Sequence, residues 1–96
     1  MKIAIVDYEV GNLANVYNAW KRLGQDVVIT RDHQVLKDAD MIELPGVGAI
    51  RDAMANLEKF DLITLLQDQA KSGKFLMGIC LGMQALFEVD YEGVKY

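Results

Sequence analysis

Phe75-Leu76-Met77-Gly78-Ile79-Cys80-Leu81-Gly82 carries an unbroken apolar stretch into two glycines spaced around a cysteine. The apolar part has the make-up of a strand buried on both faces of a parallel sheet. Leu81 to Glu88 reads as the helix that follows. A strand, a tight turn and a helix in succession make the unit from which open parallel sheets are built.

Working outward, the same alternation fills the chain. Ile3-Ala4-Ile5-Val6 and Val27-Val28-Ile29 are apolar and β-branched, and Met41-Ile42-Glu43-Leu44 is a weaker strand blemished by Glu43. Between them, Leu13, Val16, Tyr17, Trp20 and Leu23 recur at helical steps until Gly24 stops the helix. His33 to Ala39 predicts a short helix. Ile50, Ala53, Met54 and Leu57 mark another, which Leu62, Leu65, Leu66 and Gln69 continue after a break near Phe60-Asp61, ending at Ser72-Gly73. The order βαβαβαβα predicts an α/β fold, a parallel sheet of about four strands with right-handed crossovers. Val89 to Tyr96 forms a polar tail with no strand of its own.

Composition sets the outer bounds. The 96 residues hold ten Lys/Arg and fourteen Asp/Glu, a net charge of −4. That excludes a basic nucleic-acid surface as the main role, and disfavours an anionic membrane as partner. With 52% apolar and 25% charged residues the chain is expected to fold, as one domain spanning residues 1–96. A lone cysteine excludes a disulfide framework or Cys-rich zinc site, and a lone histidine a His-based metal cluster. The apolar runs are too short for a membrane span or a signal-peptide core, which predicts a cytoplasmic, reduced protein. No metal or cofactor is expected. Gly46-x-Gly48 lacks the third glycine of a dinucleotide fingerprint, and no P-loop occurs. A phosphate-accepting receiver domain would want an acidic residue where Pro45-Gly46 stand.

Ligands of open parallel sheets bind beyond the carboxyl ends of the strands, so those loops carry the candidate chemistry. Gly78-Ile79-Cys80-Leu81-Gly82 has the G-x-C-x-G spacing of a nucleophile elbow, with Cys80 as nucleophile. The flanking glycines permit the tight turn, and a helix N-terminus favours the thiolate. The Leu81 N–H is a candidate oxyanion donor. The alternative is an inert core cysteine. Pro45 is expected to end the third strand, because it lacks an N–H. Gly46, Val47 and Gly48 then offer main-chain donors for a carboxylate or oxyanion, the alternative being an ordinary turn. Asn12 is a helix cap. Asp7 is either a site acid or a turn former, and His33 is expected on the solvated surface. Trp20, Met54, Met77 and Met83 read as core or partner surface.

Three stretches together carry a family resemblance. They are Ile5-Val6-Asp7-Tyr8-x-Val10-Gly11-Asn12-Leu13, Leu44-Pro45-Gly46-Val47-Gly48-Ala49, and Gly78-Ile79-Cys80-Leu81-Gly82-Met83-Gln84-x-Leu86-Phe87-Glu88. The chain resembles the class I glutamine amidotransferases, and among them the glutaminase subunits of imidazole glycerol phosphate synthase, which serve histidine biosynthesis. The resemblance implies a flavodoxin-like fold. It implies that Cys80 attacks the side-chain amide of glutamine, releasing ammonia and forming a γ-glutamyl thioester. Gly48 and its neighbours would supply the oxyanion strand, with Leu81 N–H as second donor. Gly46, Val47, Gly82 and Gln84 would line the substrate. Ammonia would pass to a (βα)8-barrel cyclase subunit docked over the site.

Two departures shape the expectation. The family is about twice as long, and its second half carries the triad His and Glu in a His-Pro-Glu stretch that these residues lack. The resemblance thus implies an N-terminal half, truncated or engineered as a module, that is inactive alone. Glu9 stands where the family usually has glycine, which strains the loop if positive φ is required. The alternative is a non-catalytic, flavodoxin-like structural half-domain that self-associates. In either case the Phe75–Ile79 strand would present an apolar edge. A homodimer or a complementing fragment is expected to cover it, with the Val89–Tyr96 tail as the other candidate cover.

Overall fold

The computed structural model describes residues 1–9, 12–46 and 50–80, with positions 50, 79 and 80 described by backbone alone. The element order is β1 (Lys2–Val6), α1 (Leu13–Arg22), β2 (Asp26–Thr30), α2 (His33–Asp38), β3 (Met41–Gly46), α3 (Ile50–Lys59), α4 (Leu62–Lys71) and β4 (Phe75–Cys80). The described strands form one parallel sheet in the order β2-β1-β3-β4. This is the flavodoxin-like α/β arrangement expected from the alternation of apolar runs and helical periods. The expected helix from Leu81 to Glu88 and the Val89–Tyr96 tail lie outside the described residues.

Strand alternation divides the core into two layers. Ala4, Val6, Ile42 and Leu44 face α2, α3 and α4, where they pack with Leu36, Leu57, Leu62, Leu65 and Leu66. Ile3, Ile5, Val27 and Met41 face the other way, against Leu13, Val16, Tyr17 and Trp20 of α1. Met54 packs half-buried on the larger layer, whereas Met77 is 38% exposed and outside either core.

The helices begin and end where the sequence predicts. Asn12 Oδ1 accepts from Asn15 N at the start of α1, and Gly24, at φ +76°, turns the chain after it. Asp32 Oδ1 caps α2 by accepting from Gln34 N at 2.9 Å and Val35 N at 3.2 Å. The break between α3 and α4 falls on Asp61, whose φ is 56°. Gly73, at φ +91°, follows α4.

One boundary differs from the expectation. Pro45 does not end β3, which continues through Pro45 and Gly46, paired with Ile79 and Cys80 of β4. The reason is one-sided pairing. β1 accompanies β3 only as far as the Ile5–Glu43 pair. The Pro45 carbonyl, on that vacated side, accepts from the Tyr8 hydroxyl instead. Within a strand, a residue's N–H and C=O point the same way, so the missing N–H also falls where no ladder bond is needed. No helix among the described residues is long and apolar enough to cross a membrane.

Candidate functional site

The candidate site lies at the carboxyl ends of β1, β3 and β4. Parallel register sets Gly46, the last residue of β3, beside Cys80, the last of β4, and Pro45 beside Ile79. The P-G-V-G and G-x-C-x-G segments therefore leave the sheet from adjacent positions, one strand spacing apart. Gly46 is buried at that edge. Val47, Gly48, Leu81, Gly82 and Gln84, the other predicted site residues, lie outside the described residues.

The loop after β1 packs against this edge and is held at three points. Tyr8 is fully buried, and its hydroxyl binds the Pro45 carbonyl. Burial pushes its phenol up to about 12, so it stays protonated and donates. Asp7 Oδ2 pairs with Arg31 Nη2 at 3.2 Å, while Asp7 Oδ1 accepts from Glu9 N at 3.3 Å. Asp7 is therefore a turn former that also ties β1 to the end of β2. The Arg31 guanidinium lies 4.0 Å from the Phe60 ring centroid, anchoring that tie to the α3–α4 corner. Glu9 adopts φ 65°, the left-handed conformation that a glycine would take freely. Its carboxylate pairs with Lys59 Nζ at 3.3 Å on α3. The loop thus combines backbone strain with an exposed ion pair.

His33 is not a solvated surface residue. It is half-buried at the start of α2, with Nε2 3.3 Å from the Phe60 carbonyl. With Lys37, Asp61, Thr64, Leu65 and Asp68 it lines an open hollow between α2 and α4. Two residues carry structural roles that periodicity alone missed. Tyr8 reads as a loop residue after the first strand, and only its place in the first family-like stretch singled it out. Glu43, the blemish in the third strand, is fully buried and accepts from Trp20 Nε1 at 3.0 Å.

No family model matches the chain. Curated relatives do. The imidazole glycerol phosphate synthase subunit HisH of Lactococcus lactis is 55% identical over 91 residues, which is 95% of this chain and 45% of that protein. The subunit HisH of Exiguobacterium sibiricum is 57% identical over 90 residues, 94% of this chain and 46% of that protein. That of Aquifex aeolicus is 44% identical over 93 residues, 96% and 45% of the two chains. The chain spans about half the length of the curated relatives it matches. A crystal structure of a glutamine amidotransferase superposes with a TM-score of 0.70 at 21% identity, over 82% of this chain and 42% of the other. That likeness speaks for the fold alone, and the sequence similarity supplies the rest. By that sequence similarity the chain is related to about half the length of the HisH subunits, and it shares the fold of the glutamine amidotransferase structure.

Proposed function

We propose that these 96 residues form the nucleophile-bearing half of a glutaminase subunit of imidazole glycerol phosphate synthase. The observation that carries this reading is the Gly46–Cys80 register pair, which brings the two glycine-bearing loops to one sheet edge. In the proposed reaction the Cys80 thiolate attacks the glutamine side-chain carbonyl carbon. Charge builds on the oxygen, for which Leu81 N–H and the main chain around Gly48 are the proposed donors. The C–N bond breaks, the nitrogen takes up a proton and leaves as ammonia, and a γ-glutamyl thioester remains for water to hydrolyse. Gly46, Val47, Gly82 and Gln84 hold the glutamine. Ammonia passes to a (βα)8-barrel cyclase subunit, in the cytoplasm.

The proton steps need a base, in this family's kind of site a histidine, and the one histidine of the sequence is His33. That ring is engaged at the Phe60 carbonyl, on the α2–α4 side. The base therefore comes from outside these residues, and a polypeptide of these 96 residues alone releases little ammonia. Two measurements test the reading. A glutamine-like electrophile such as a diazoketone amino acid should label Cys80 faster than it labels a free small thiol. Labelling at the small-thiol rate would sink it. Rapid ammonia release from glutamine by the 96 residues alone, abolished in Cys80→Ala, would instead overturn the external base.

A second reading is favoured by one observation: β4 is the outer strand of the described sheet, and Phe75 on it is 63% exposed. In this reading the chain is a structural half-domain that self-associates through the β4 edge. Sedimentation equilibrium over a wide concentration range decides it, with a tight dimer expected and a monomer throughout against it.

A further inference from the structure

At its carboxyl end β3 is accompanied by a strand on one side only. β1 pairs with it as far as Ile5 and Glu43, while β4 runs beside it to the Gly46–Cys80 pair. On the side β1 has left, the Pro45 carbonyl accepts from the Tyr8 hydroxyl. Tyr8 is fully buried, and its ring belongs to the larger core layer with Val6, Leu44 and Leu57. Packing fixes the ring, and the ring aims the hydroxyl. A hydrogen bond in such a setting is stronger than the same bond in water.

That bond acts on a whole peptide plane. In a trans peptide the C=O and the N–H that follows it point in opposite directions. With the Pro45 carbonyl held toward the β1 side, the Gly46 N–H is turned toward β4, where its register partner is Cys80. The plane can rotate only through ψ of Pro45 and φ of Gly46. Gly46 has no Cβ to resist such a rotation. A rotated plane would turn the N–H toward Tyr8 and the carbonyl toward β4, and the chain beyond Gly46 would leave the sheet on another course. The Tyr8 hydroxyl opposes this from the side that no ladder bond reaches.

We propose that Tyr8 is a positioning residue for thioester formation at Cys80: by holding the Pro45–Gly46 peptide plane it sets the course of the main chain into Val47 and Gly48, the proposed oxyanion donors. The role rests on the glutaminase reading of Cys80. Tyr8 acts through Pro45 and takes no part in bond making. A purely structural tyrosine would need its ring for packing, whereas this role needs the hydroxyl.

The test uses the 96-residue chain and two reagents for Cys80, both followed by intact mass. One is the γ-p-nitrophenyl ester of glutamate. The thiolate attacks its γ-carbonyl carbon, the C–O bond breaks, p-nitrophenolate leaves and a γ-glutamyl thioester remains. This leaving group needs no proton, so no external acid or base is required. Charge builds on the carbonyl oxygen during the attack. The other reagent, iodoacetamide, alkylates the same thiolate by displacing iodide and develops no oxyanion.

Tyr8→Phe is expected to lower the limiting rate of acylation about tenfold, the worth of one lost buried hydrogen bond. The half-saturating ester concentration and the iodoacetamide rate should not change. Acylation of a folded Tyr8→Phe chain at the parent rate would overturn the proposal and leave the glutaminase reading standing. An equal fall with both reagents would also overturn it, since that marks a general loosening around the thiol. A parent chain whose Cys80 is acylated no faster than a free small thiol would remove the glutaminase reading, and the positioning role with it. If Tyr8→Phe does not fold, Tyr8→4-aminophenylalanine keeps the ring and a weaker N–H donor. Acylation below the parent rate, with the iodoacetamide rate unchanged, is then expected, and acylation at the parent rate would overturn the proposal.

Discussion

The Tyr8 hydroxyl donates to the main-chain oxygen of Pro45 across the gap left where β1 and β3 stop pairing. A side chain thus completes a sheet that the backbone leaves unfinished, directly behind Gly46. Tyr8→Phe keeps the ring in its buried place and strands the carbonyl. The expected loss is about 1–2 kcal/mol of unfolding free energy, read by urea denaturation. Amide exchange at Gly46 should quicken in the same variant, because its neighbour has lost its tether.

Glu9 and Asp61 both hold left-handed backbone, at φ 65° and 56°. Replacement by glycine should therefore stabilise the fold. Asp61→Gly is expected to gain about 1 kcal/mol, since Asp61 makes no side-chain cap bond to α4. Glu9→Gly should gain less, because it also removes the exposed Lys59 pair, worth under about 1 kcal/mol. The reverse change, Gly24→Ala, should cost about 1 kcal/mol through φ +76° alone, as a Cβ there meets nothing within 4 Å. Thermal melts of the three variants check the order.

The Glu43 carboxyl titrates higher in the folded chain than its ordinary value of 4.5. Between that value and the raised one, the folded state binds the extra proton, so stability falls as pH rises through the window and then levels. Glu43→Gln should flatten this part of the stability–pH curve and make the protein more stable than the parent above it. An unchanged slope in Glu43→Gln would show that another group is responsible.

α2 is six residues long and relies on its cap. Asp32→Ala removes the acceptor for Gln34 N and Val35 N. The expected loss is about 1 kcal/mol, and Asp32→Ser should restore most of it. Far-ultraviolet dichroism with denaturant titration measures both.

The elements were legible because their signals are local. The run Ile3–Val6, the cap at Asn12, the stop at Gly24 and the break at Asp61 each depend on a few neighbouring residues. The end of β3 was not legible in the same way. Pro45 terminates a strand only if a neighbouring strand lies on the edge its N–H would face, and that depends on where β1 stops, forty residues earlier in the chain. Glu43 likewise read as a blemish, because its partner Trp20 lies 23 positions away on α1. At the candidate site, spacing located the two glycine loops, and the sheet register supplied the fact that they are neighbours. Asp7 stayed ambiguous in sequence because a turn former and a site acid look alike until Arg31 is seen beside it.

β1 is an inner strand, flanked by β2 and β3. During synthesis it must wait, since its second neighbour begins only at Met41. At about 5–20 residues per second, that interval lasts a few seconds on the ribosome. Through it the side of β1 meant for β3 stays open while β2 can already bind the other. Slow codons between β1 and β3 would prolong that exposure, and slow codons between β3 and β4 would do the same for the outer side of β3.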